Sequence, residues 1–562
     1  MSWIENPGEY SLRGLDLSML KVDEAYLNIT TDEPFHLYSL SDDCYRCPFY
    51  HFKKILESKV LSVSTRRDVI WRLYNVSRDV NDKKTIADND TDMMLCEIRP
   101  KDFGEFGIYD LIYENDQCDL HVYKRPVNIY LPLLLICLGL LIIAVLYSFI
   151  SLIYNRWIRK NNTDESNTGK ITRRRRVKAL DTFRGISICV MIFVNYGAGH
   201  YWFLDHATWN GLQVADLVFP WFMWIMGVCV PISIKSQLKK NVPRIKIFIN
   251  SLRRSLILFL LGLCLNTLGI GANLNTLRLF GVLQRFSVVY FVIAIISIIF
   301  TFNDYDNSNR VSQSRFYYSN IWLIILILLA VHCYFTFFFP VPGCPTGYLG
   351  PGGIQYDSKY ENCTGGAAGY IDKLLLGYNH LYQKPTSADV YKTEAFDPEG
   401  PLGCLTSIFQ VFLGVQAGSI LVYHSKWHSR IKRWLIWGTI SGIIGIVLCQ
   451  ARQDGGWVPL NKNIWSLPFA CVTSCLGFYL LCLLYYLIDI KAVWTGAPFV
   501  YPGMNATILY VGHSICYEMF PWHWSYGYMN THFILTLEAL WGTALWVVIA
   551  YWLYREKFFL SL

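Results

Sequence analysis

The sequence predicts a polytopic α-helical membrane protein with about eleven transmembrane helices and an amino-terminal luminal, β-rich domain of sandwich type. Three observations predict it. Hydrophobic residues make up 53% of the 562 positions and charged residues only 16%, against about 25% charged in an ordinary globular chain. The apolar residues gather in blocks of roughly 20, the length that crosses a hydrocarbon layer about 30 Å thick. Residues 1–125 lack such blocks and show strand-like, aromatic-rich stretches instead, as in Phe35–Leu40 and Phe106–Tyr113. A cytosolic enzyme, a fibre and a disordered scaffold are excluded.

The blocks place spans at 127–154, 180–198, 214–234, 247–268, 279–301, 320–340, 403–423, 431–449, 463–487, 503–525 and 533–553. The tenth is the most interrupted, by Gly503, Asn505, His513 and Glu518, with Pro502 at its edge. The chain then divides into a luminal domain (1–125), a first transmembrane helix (126–155) and a basic cytosolic loop (156–179). A ten-helix transmembrane domain (180–555) with a long luminal loop at 341–402 follows, and a cytosolic tail (556–562) ends it. Lys and Arg decide the orientation. Segments 155–179, 235–246, 302–319, 424–430, 488–502 and the tail hold most of the membrane-flanking cations, whereas 199–213 and 526–532 hold none. Positive residues favour the cytosolic side, so the amino terminus is luminal and the carboxyl terminus cytosolic. The sequons at Asn28, Asn75, Asn89 and Asn362 then fall in the lumen, where glycosylation occurs, and the one at Asn161 falls in the cytosol. Met1–Leu20 shows no apolar signal-peptide core; either the first span draws the domain across or the natural start lies upstream.

The net charge of +8 points to no nucleic-acid partner, because the basic residues sit in a few loops. The densest run, Arg173–Arg176 with Lys178, reads as an anchor on the bilayer. Cys44, Cys47, Cys96 and Cys118 precede the first span, and Cys344 and Cys363 lie in the long loop. They fit disulfides in an oxidising compartment. The Cys44–Cys47 spacing has no second pair to complete a zinc set, so no metal is expected.

Ionisable side chains are costly in hydrocarbon and mark function by default. The densest set runs through Asp181-Thr182-Phe183-Arg184-Gly185, Asn195-Tyr196-Gly197, Asp205-His206 to Gly211, and Ala215-Asp216 to Phe222. On this topology Asp181 and Arg184 lie at the cytosolic mouth, with Asn195, His206 and Asp216 near the luminal one. Each also has a structural reading. His206 between Trp202 and Trp209 suits an interfacial belt, Asp181 and Asn195 suit helix caps, and Arg184 suits a residue snorkelling to headgroups. Gln284 and Arg285 either line a passage or tie helices together, and His513 is a second intramembrane imidazole.

Taken together these residues resemble the heparan-α-glucosaminide N-acetyltransferase family. The likeness continues through Gly281–Arg285, Asp397–Gly400, Phe412–Gly418, Leu460–Ser466 and Tyr501–Asn505, in order across nearly all of 178–555. Ala198, His200 and Thr208 depart from the family's pattern without removing a reactive group. The resemblance implies an acyltransferase of the lysosomal membrane with its catalytic part in 180–555. Such an enzyme takes acetyl from cytosolic acetyl-CoA, its co-substrate, and delivers it to terminal glucosamine of heparan sulfate in the lumen. It also implies His206 as the active-site residue, Asn195 close to it, and a homodimer.

The chemistry is consistent with that. A glucosamine ammonium must lose a proton before attacking a thioester, and imidazole is the usual base near neutral pH. A neutral His206 can equally attack the thioester itself, so the covalent and the direct route both stay open. The Asn195 amide offers hydrogen bonds to a developing oxyanion, and Asp216, near in sequence, is a candidate to orient the imidazole, with His513 as a further supporting residue. The phosphates of acetyl-CoA call for cations; Arg184, Arg253 and Arg254 are the candidates, with Gln284 and Arg285 along the passage. Two other functions fit less of the sequence. A transporter also has many spans with buried polar groups and broken helices, but the two halves show no internal repeat. A related acyltransferase acting on another glycan would share the chemistry.

Overall fold

A computed structural model gives the fold and describes residues 11–76, 84–92, 94–114, 117–161, 176–269, 271–301 and 310–560. Arg173–Arg175 of the basic run lie outside the described residues.

The amino-terminal part opens with a small hairpin, β1 (Ser11–Leu12) and β2 (Leu15–Asp16). Nine strands follow: β3 (Glu24–Thr31), β4 (Phe35–Ser41), β5 (Phe49–Ile55), β6 (Lys59–Ser64), β7 (Val69–Asn75), β8 (Thr85–Ile86), β9 (Met94–Ile98), β10 (Ile108–Glu114) and β11 (Gln117–Lys124). They form a four-stranded sheet ordered β11-β10-β3-β6 and a five-stranded sheet ordered β8-β5-β4-β7-β9, with β10 and β3 parallel. Burial alternates along β3, as a strand with one face on a core requires. Leu27, Ile29, Leu37, Trp71, Leu73 and Leu111, drawn from both sheets, fill that core. A Cys96–Cys118 disulfide ties β9 of one sheet to β11 of the other; Cys44–Cys47 and Cys344–Cys363 are also bonded.

The helices are α1 (Tyr130–Asn161), α2 (Lys178–Asn195), α3 (Val214–Leu238), α4 (Arg244–Leu265), α5 (Val282–Phe300), α6 (Arg310–Phe338), α7 (Ala367–Leu376), α8 (Ala388–Tyr391), α9 (Gly403–Tyr423), α10 (Trp427–Cys449), α11 (Leu467–Leu484), α12 (Val500–Met504), α13 (Ala506–Ile515) and α14 (His532–Arg555). Among the described residues, nine of these are long and apolar enough to cross a membrane. The expected eleven differ at two places. The span expected at 180–198 is α2, whose 18 residues include Lys178, Asp181 and Arg184. The one expected at 503–525 is not continuous: α12 and α13 meet at Asn505, whose φ and ψ of −124° and 33° leave the helical region, and α13 stops at Ile515. Asn505 is buried there because its side chain has another task. Its Nδ2 donates to the Phe558 carbonyl (2.9 Å) and its Oδ1 accepts from the Leu560 N–H (3.2 Å), clamping the segment after α14.

A further expectation is corrected at the start of α2. Asp181 does not cap it; the Asp489 carboxylate, from the π turn Tyr485–Ile490 that closes α11, accepts the N–H groups of Lys178 (3.2 Å) and Ala179 (3.0 Å). Asp181, one turn in, pairs with Arg176 at 2.6 Å. Both carboxylates face the positive helix end.

The bundle is layered by burial. Helix α9 is buried on nearly every side and runs at its centre; α1 is almost wholly exposed at its edge, a surface that lipid solvates. Small residues set the closest crossings. A Cβ on Gly503 of α12 would run into the Asp181 carbonyl oxygen, and one on Gly185 of α2 into that of Phe499. Backbone therefore touches backbone where α2 and α12 meet.

The β-domain sits over one end of the bundle. Cys44, Cys47, Trp209, Ile354, Tyr391 and Phe396 form a core shared by the domain, the α2–α3 connection and the long loop. The Tyr391 hydroxyl donates to the Asp43 carbonyl (3.0 Å) and the Thr208 hydroxyl to Asp43 Oδ2 (2.9 Å). A second latch joins His532, at the start of α14, to Asp23 (3.1 Å) and Glu105 (3.7 Å). Replacing Gly503 by Val is expected to cost about 1–3 kcal/mol by overpacking the α2–α12 contact. Melting of the solubilised protein measures it, with Gly139→Ala, in open space on α1, leaving the transition in place.

Candidate active site

The connection between α2 and α3 carries His206, and three features fix its imidazole. Asp216 stands in the first turn of α3 with its carboxylate buried (1% exposed). Its Oδ2 accepts the N–H of Ala207 (3.1 Å) and of Gln213 (3.2 Å), two donors near the helix start. Its Oδ1 lies 2.8 Å from His206 Nδ1. A contact that short between a carboxylate and a ring nitrogen needs a proton between them, so Nδ1 donates and, in a neutral ring, Nε2 keeps the lone pair. Lys462 completes the group: its Nζ lies 2.9 Å from His206 Nδ1, 3.4 Å from Nε2 and 3.4 Å from Asp216 Oδ1.

Lys462 arrives there because two loops are sewn together. The Gly211 N–H donates to the Leu460 carbonyl (2.7 Å), Asn461 Nδ2 donates to Asn210 Oδ1 (2.9 Å), and Asn210 Nδ2 donates to Asp454 (2.7 Å). Beneath them lies a buried charge cluster. Arg278 bridges Asp397 (2.7 Å) and Glu399 (2.6 Å). Burial opposes charge on Glu399, but Arg278, Arg285 and Lys462 hold its carboxyl below the usual range.

Two hollows lie near this group. A cavity of about 1060 Å³ opens between the β-domain and the loop around α8, and His206 lines it. A cleft of about 420 Å³ runs through the bundle between α2, α3, α4, α5 and α13. Along α3 it is lined by Phe219, Phe222, Met226, Ser233 and Gln237, a stripe at helical spacing roughly 27 Å long at 1.5 Å per residue. Arg176, Arg184 and Arg254 also line it. The two hollows share no lining residue. Yet Asp216, which holds His206, and Phe219, at the inner end of the cleft, are three residues apart on α3, an axial rise of about 4.5 Å.

The other sequence-derived candidates divide between these places. Asn195, last residue of α2, is paired with His513 of α13: its Nδ2 donates to His513 Nε2 (2.8 Å) while His513 Nδ1 donates to the Leu509 carbonyl (3.0 Å). One turn before them, Met191 and Tyr510 line the cleft. Asn195 and His513 thus form a second polar pair at its inner end, distinct from the His206 group. Arg184 donates to the Gly503 carbonyl (3.1 Å) at the α2–α12 crossing. Arg254 lies over the Tyr290 ring (4.7 Å) with its Nε buried and unpartnered among the described residues. Arg253 is exposed on α4, outside the cleft lining. Arg285 donates to the carbonyls of Glu399 (3.2 Å) and Gly400 (2.9 Å), and Gln284 is buried beside it; neither lines the cleft, because the faces of α5 that do so carry Val282, Leu283 and Phe286.

The comparisons with known proteins speak to the same residues. A family model described as "Heparan-alpha-glucosaminide N-acetyltransferase, catalytic" matches residues 176–308. Heparan-alpha-glucosaminide N-acetyltransferase of Mus musculus is 39% identical over 601 positions, covering 96% of this chain and 89% of the mouse protein. The protein of that name from Homo sapiens is 38% identical over 602 positions, covering 96% and 88%. The chain belongs to the heparan-α-glucosaminide N-acetyltransferase family. The stretch matched by the family model contains Asn195, His206, Asp216 and four of the helices that wall the cleft; Lys462, Glu399 and His513 lie beyond it.

Lys462 is the site residue that sequence reasoning missed. A signal existed: it is a lysine on the face where 199–213 and 526–532 carry none. Replacing Asp216 by Ala leaves a buried ammonium and two backbone N–H groups without their acceptor. The expected loss is about 3–5 kcal/mol, visible as a lower melting temperature, with Asp216→Asn losing less.

Proposed function

We propose that this member of the family is a transmembrane acetyltransferase of the lysosomal membrane. It takes acetyl from cytosolic acetyl-CoA and delivers it to the terminal glucosamine amine of heparan sulfate in the lumen, as a step in degrading that glycan. The single observation that carries the reading is the setting of His206: it lines the cavity beneath the β-domain and is held by a carboxylate one turn from the inner end of the bundle cleft. The positive-inside bias assigns the cavity to the lumen and the cleft mouth to the cytosol. The likeness to the family adds a homodimer, and the exposed Asn89 and Asn362 are the most accessible of the four luminal sequons; Asn28 donates to Asp110 within the sheet (2.8 Å).

The cleft fits the donor. Arg176 and Arg184 offer cations to phosphates, Arg254 has an unused buried N–H deeper in, and the apolar stripe of α3 suits an uncharged arm. Acetyl-CoA supplies the activated thioester. The residues of this chain do the rest. The glucosamine ammonium first gives one proton to water in the cavity; as the free amine bonds to the acetyl carbon, His206 Nε2 takes a second proton from that nitrogen, the carbon–sulfur bond breaks, and the thiolate leaves toward the cleft. Asp216 holds the ring in the tautomer that leaves Nε2 as the acceptor nitrogen, with Lys462 at 3.4 Å from it, and balances the imidazolium that forms. Lys462 places a positive charge beside the developing oxyanion. The direct route is favoured by the exposure of His206 to the acceptor cavity.

Two carboxyls on this side suit an acidic compartment. Burial pushes Glu105 up to about 7, with Asp23 adding to the rise and His532 opposing it. Burial also pushes Asp372 up to about 7, against the Leu402 N–H and Arg285, with Asp397 raising it further. A carboxyl raised on folding binds more protons in the folded state, so it favours folding in acid and that contribution fades as pH climbs from the unfolded value, about 4, to about 7. The melting temperature should therefore rise as pH falls from 7.5 to 5, and Asp372→Asn should flatten the dependence. For the reaction, labelled acetyl-CoA is supplied outside sealed vesicles holding glucosaminide. His206→Ala is expected to lower transfer at least about 100-fold with expression and melting retained; full activity would remove His206 from the mechanism.

A further inference from the structure

The cavity beneath the β-domain is larger than one sugar needs. Its roughly 1060 Å³ stands at the top of the usual range for small-molecule sites, about 300–1,000 Å³. His206 occupies one part of its lining. The Arg and Lys side chains of the lining come from two elements with no part in acetyl transfer: the β6–β7 turn with Arg66 and Arg67, and the loop around α8 with Lys384 and Lys392.

The charges there do not cancel. Asp43 is occupied by Arg67 (2.7 Å) and by the Thr208 hydroxyl (2.9 Å). Asp205 is occupied by Arg66 (2.6 Å) and by the His206 N–H (2.7 Å). Two lysines remain. Lys392 donates to the Asp389 carbonyl (2.7 Å) and lies over the Tyr50 ring (5.4 Å), and among the described residues neither it nor Lys384 has an ion-pair partner. Asp389 is the one further carboxylate in the lining. Arg66 spends a single terminal nitrogen on Asp205, so its remaining N–H groups are available. The cavity thus has a proton-accepting imidazole on one wall and an excess of cation on the others.

We infer that Arg66, Lys384 and Lys392 form an anion subsite that holds sulfate or carboxylate groups on the sugars preceding the terminal glucosamine, making the β-domain part of the acceptor site. This rests on the proposed acetyl transfer to glucosamine and adds the residues that select for charge on the rest of the chain. The ammonium to be acetylated meets His206, and the anionic residues behind it lie against Lys384, Lys392 and the Arg66 turn. Arg66 does double duty, since its bond to Asp205 also steadies the residue next to His206.

The test pairs Lys384→Gln/Lys392→Gln, both exposed lysines, with three acceptors: a neutral glucosaminide, an unsulfated glucosamine–uronate disaccharide and its O-sulfated counterpart. The double variant is expected to raise the KM of the anionic acceptors relative to the neutral one about five- to tenfold. The unsulfated and sulfated arms tell carboxylate recognition from sulfate recognition. Lys384→Arg/Lys392→Arg should restore the ratio, and added salt should erode wild-type selectivity more than that of the Gln variant. Calorimetry of the sulfated disaccharide with the resting protein, without acetyl donor, reads the subsite apart from turnover. Binding that the Gln variant weakens upholds the subsite even if no acetyl is transferred, in which case the proposed function alone falls. Equal binding by wild type and variant, no binding by the wild type, or an unchanged KM ratio overturns the subsite.

Discussion

One buried carboxylate organises the chemistry of this molecule. Asp216 sits where the backbone of α3 begins, and its two oxygens answer two backbone N–H groups, an imidazole and an ammonium. Desolvating a charge is costly unless it is paired and hydrogen-bonded, and here three hydrogen bonds and an ion pair meet the carboxylate. The same pairing that makes the carboxylate tolerable inside the protein fixes which nitrogen of His206 holds a proton. On the proposed function, stability and catalysis therefore draw on one set of bonds. Removing the Asp216 carboxylate disturbs both.

The second constraint is geometric. A donor carrying phosphates and an acceptor carrying sugars cannot share one solvent-filled channel without leaking ions across the bilayer. The fold offers a cleft and a cavity with no common lining residue, within about one turn of each other along α3, and the proposed function gives one to each substrate. The interrupted segment 500–515 makes this possible. A continuous helix there would leave Asn505 facing its own backbone; the break frees it to hold residues 558–560 at the cleft mouth and lets α13 present His513 to Asn195.

Much of this was legible in the sequence, and the reasons for the rest are physical. The spans could be read because hydrocarbon thickness dictates their length, and the weakness of 503–525 showed in Pro502, Gly503 and Asn505. His206, Asn195 and Asp216 stood out as polar residues beside apolar blocks. What could not be read was partnership across distance. Lys462 is 256 positions from His206, and His513 is 318 from Asn195; no local pattern links them. Asp181 looked like a cap because caps are usually local, whereas α2 takes its cap from Asp489. Arg285 and Gln284 lie in a helix that walls the cleft but on another of its faces, a matter of rotation that composition does not encode. The sandwich was suggested by alternation, yet its parallel β3–β10 pair joins strands far apart in the chain.

Helix α14 links the β-domain to the bundle cleft. It begins at His532, bonded to Asp23 of the β-domain, and leads into the stretch that Asn505 grips beside the cleft. Twenty-four residues of helix make a strut of roughly 36 Å that resists compression. A glycan that tugs the β-domain would lever the far end of that strut as well, so the two doorways of the molecule are mechanically yoked.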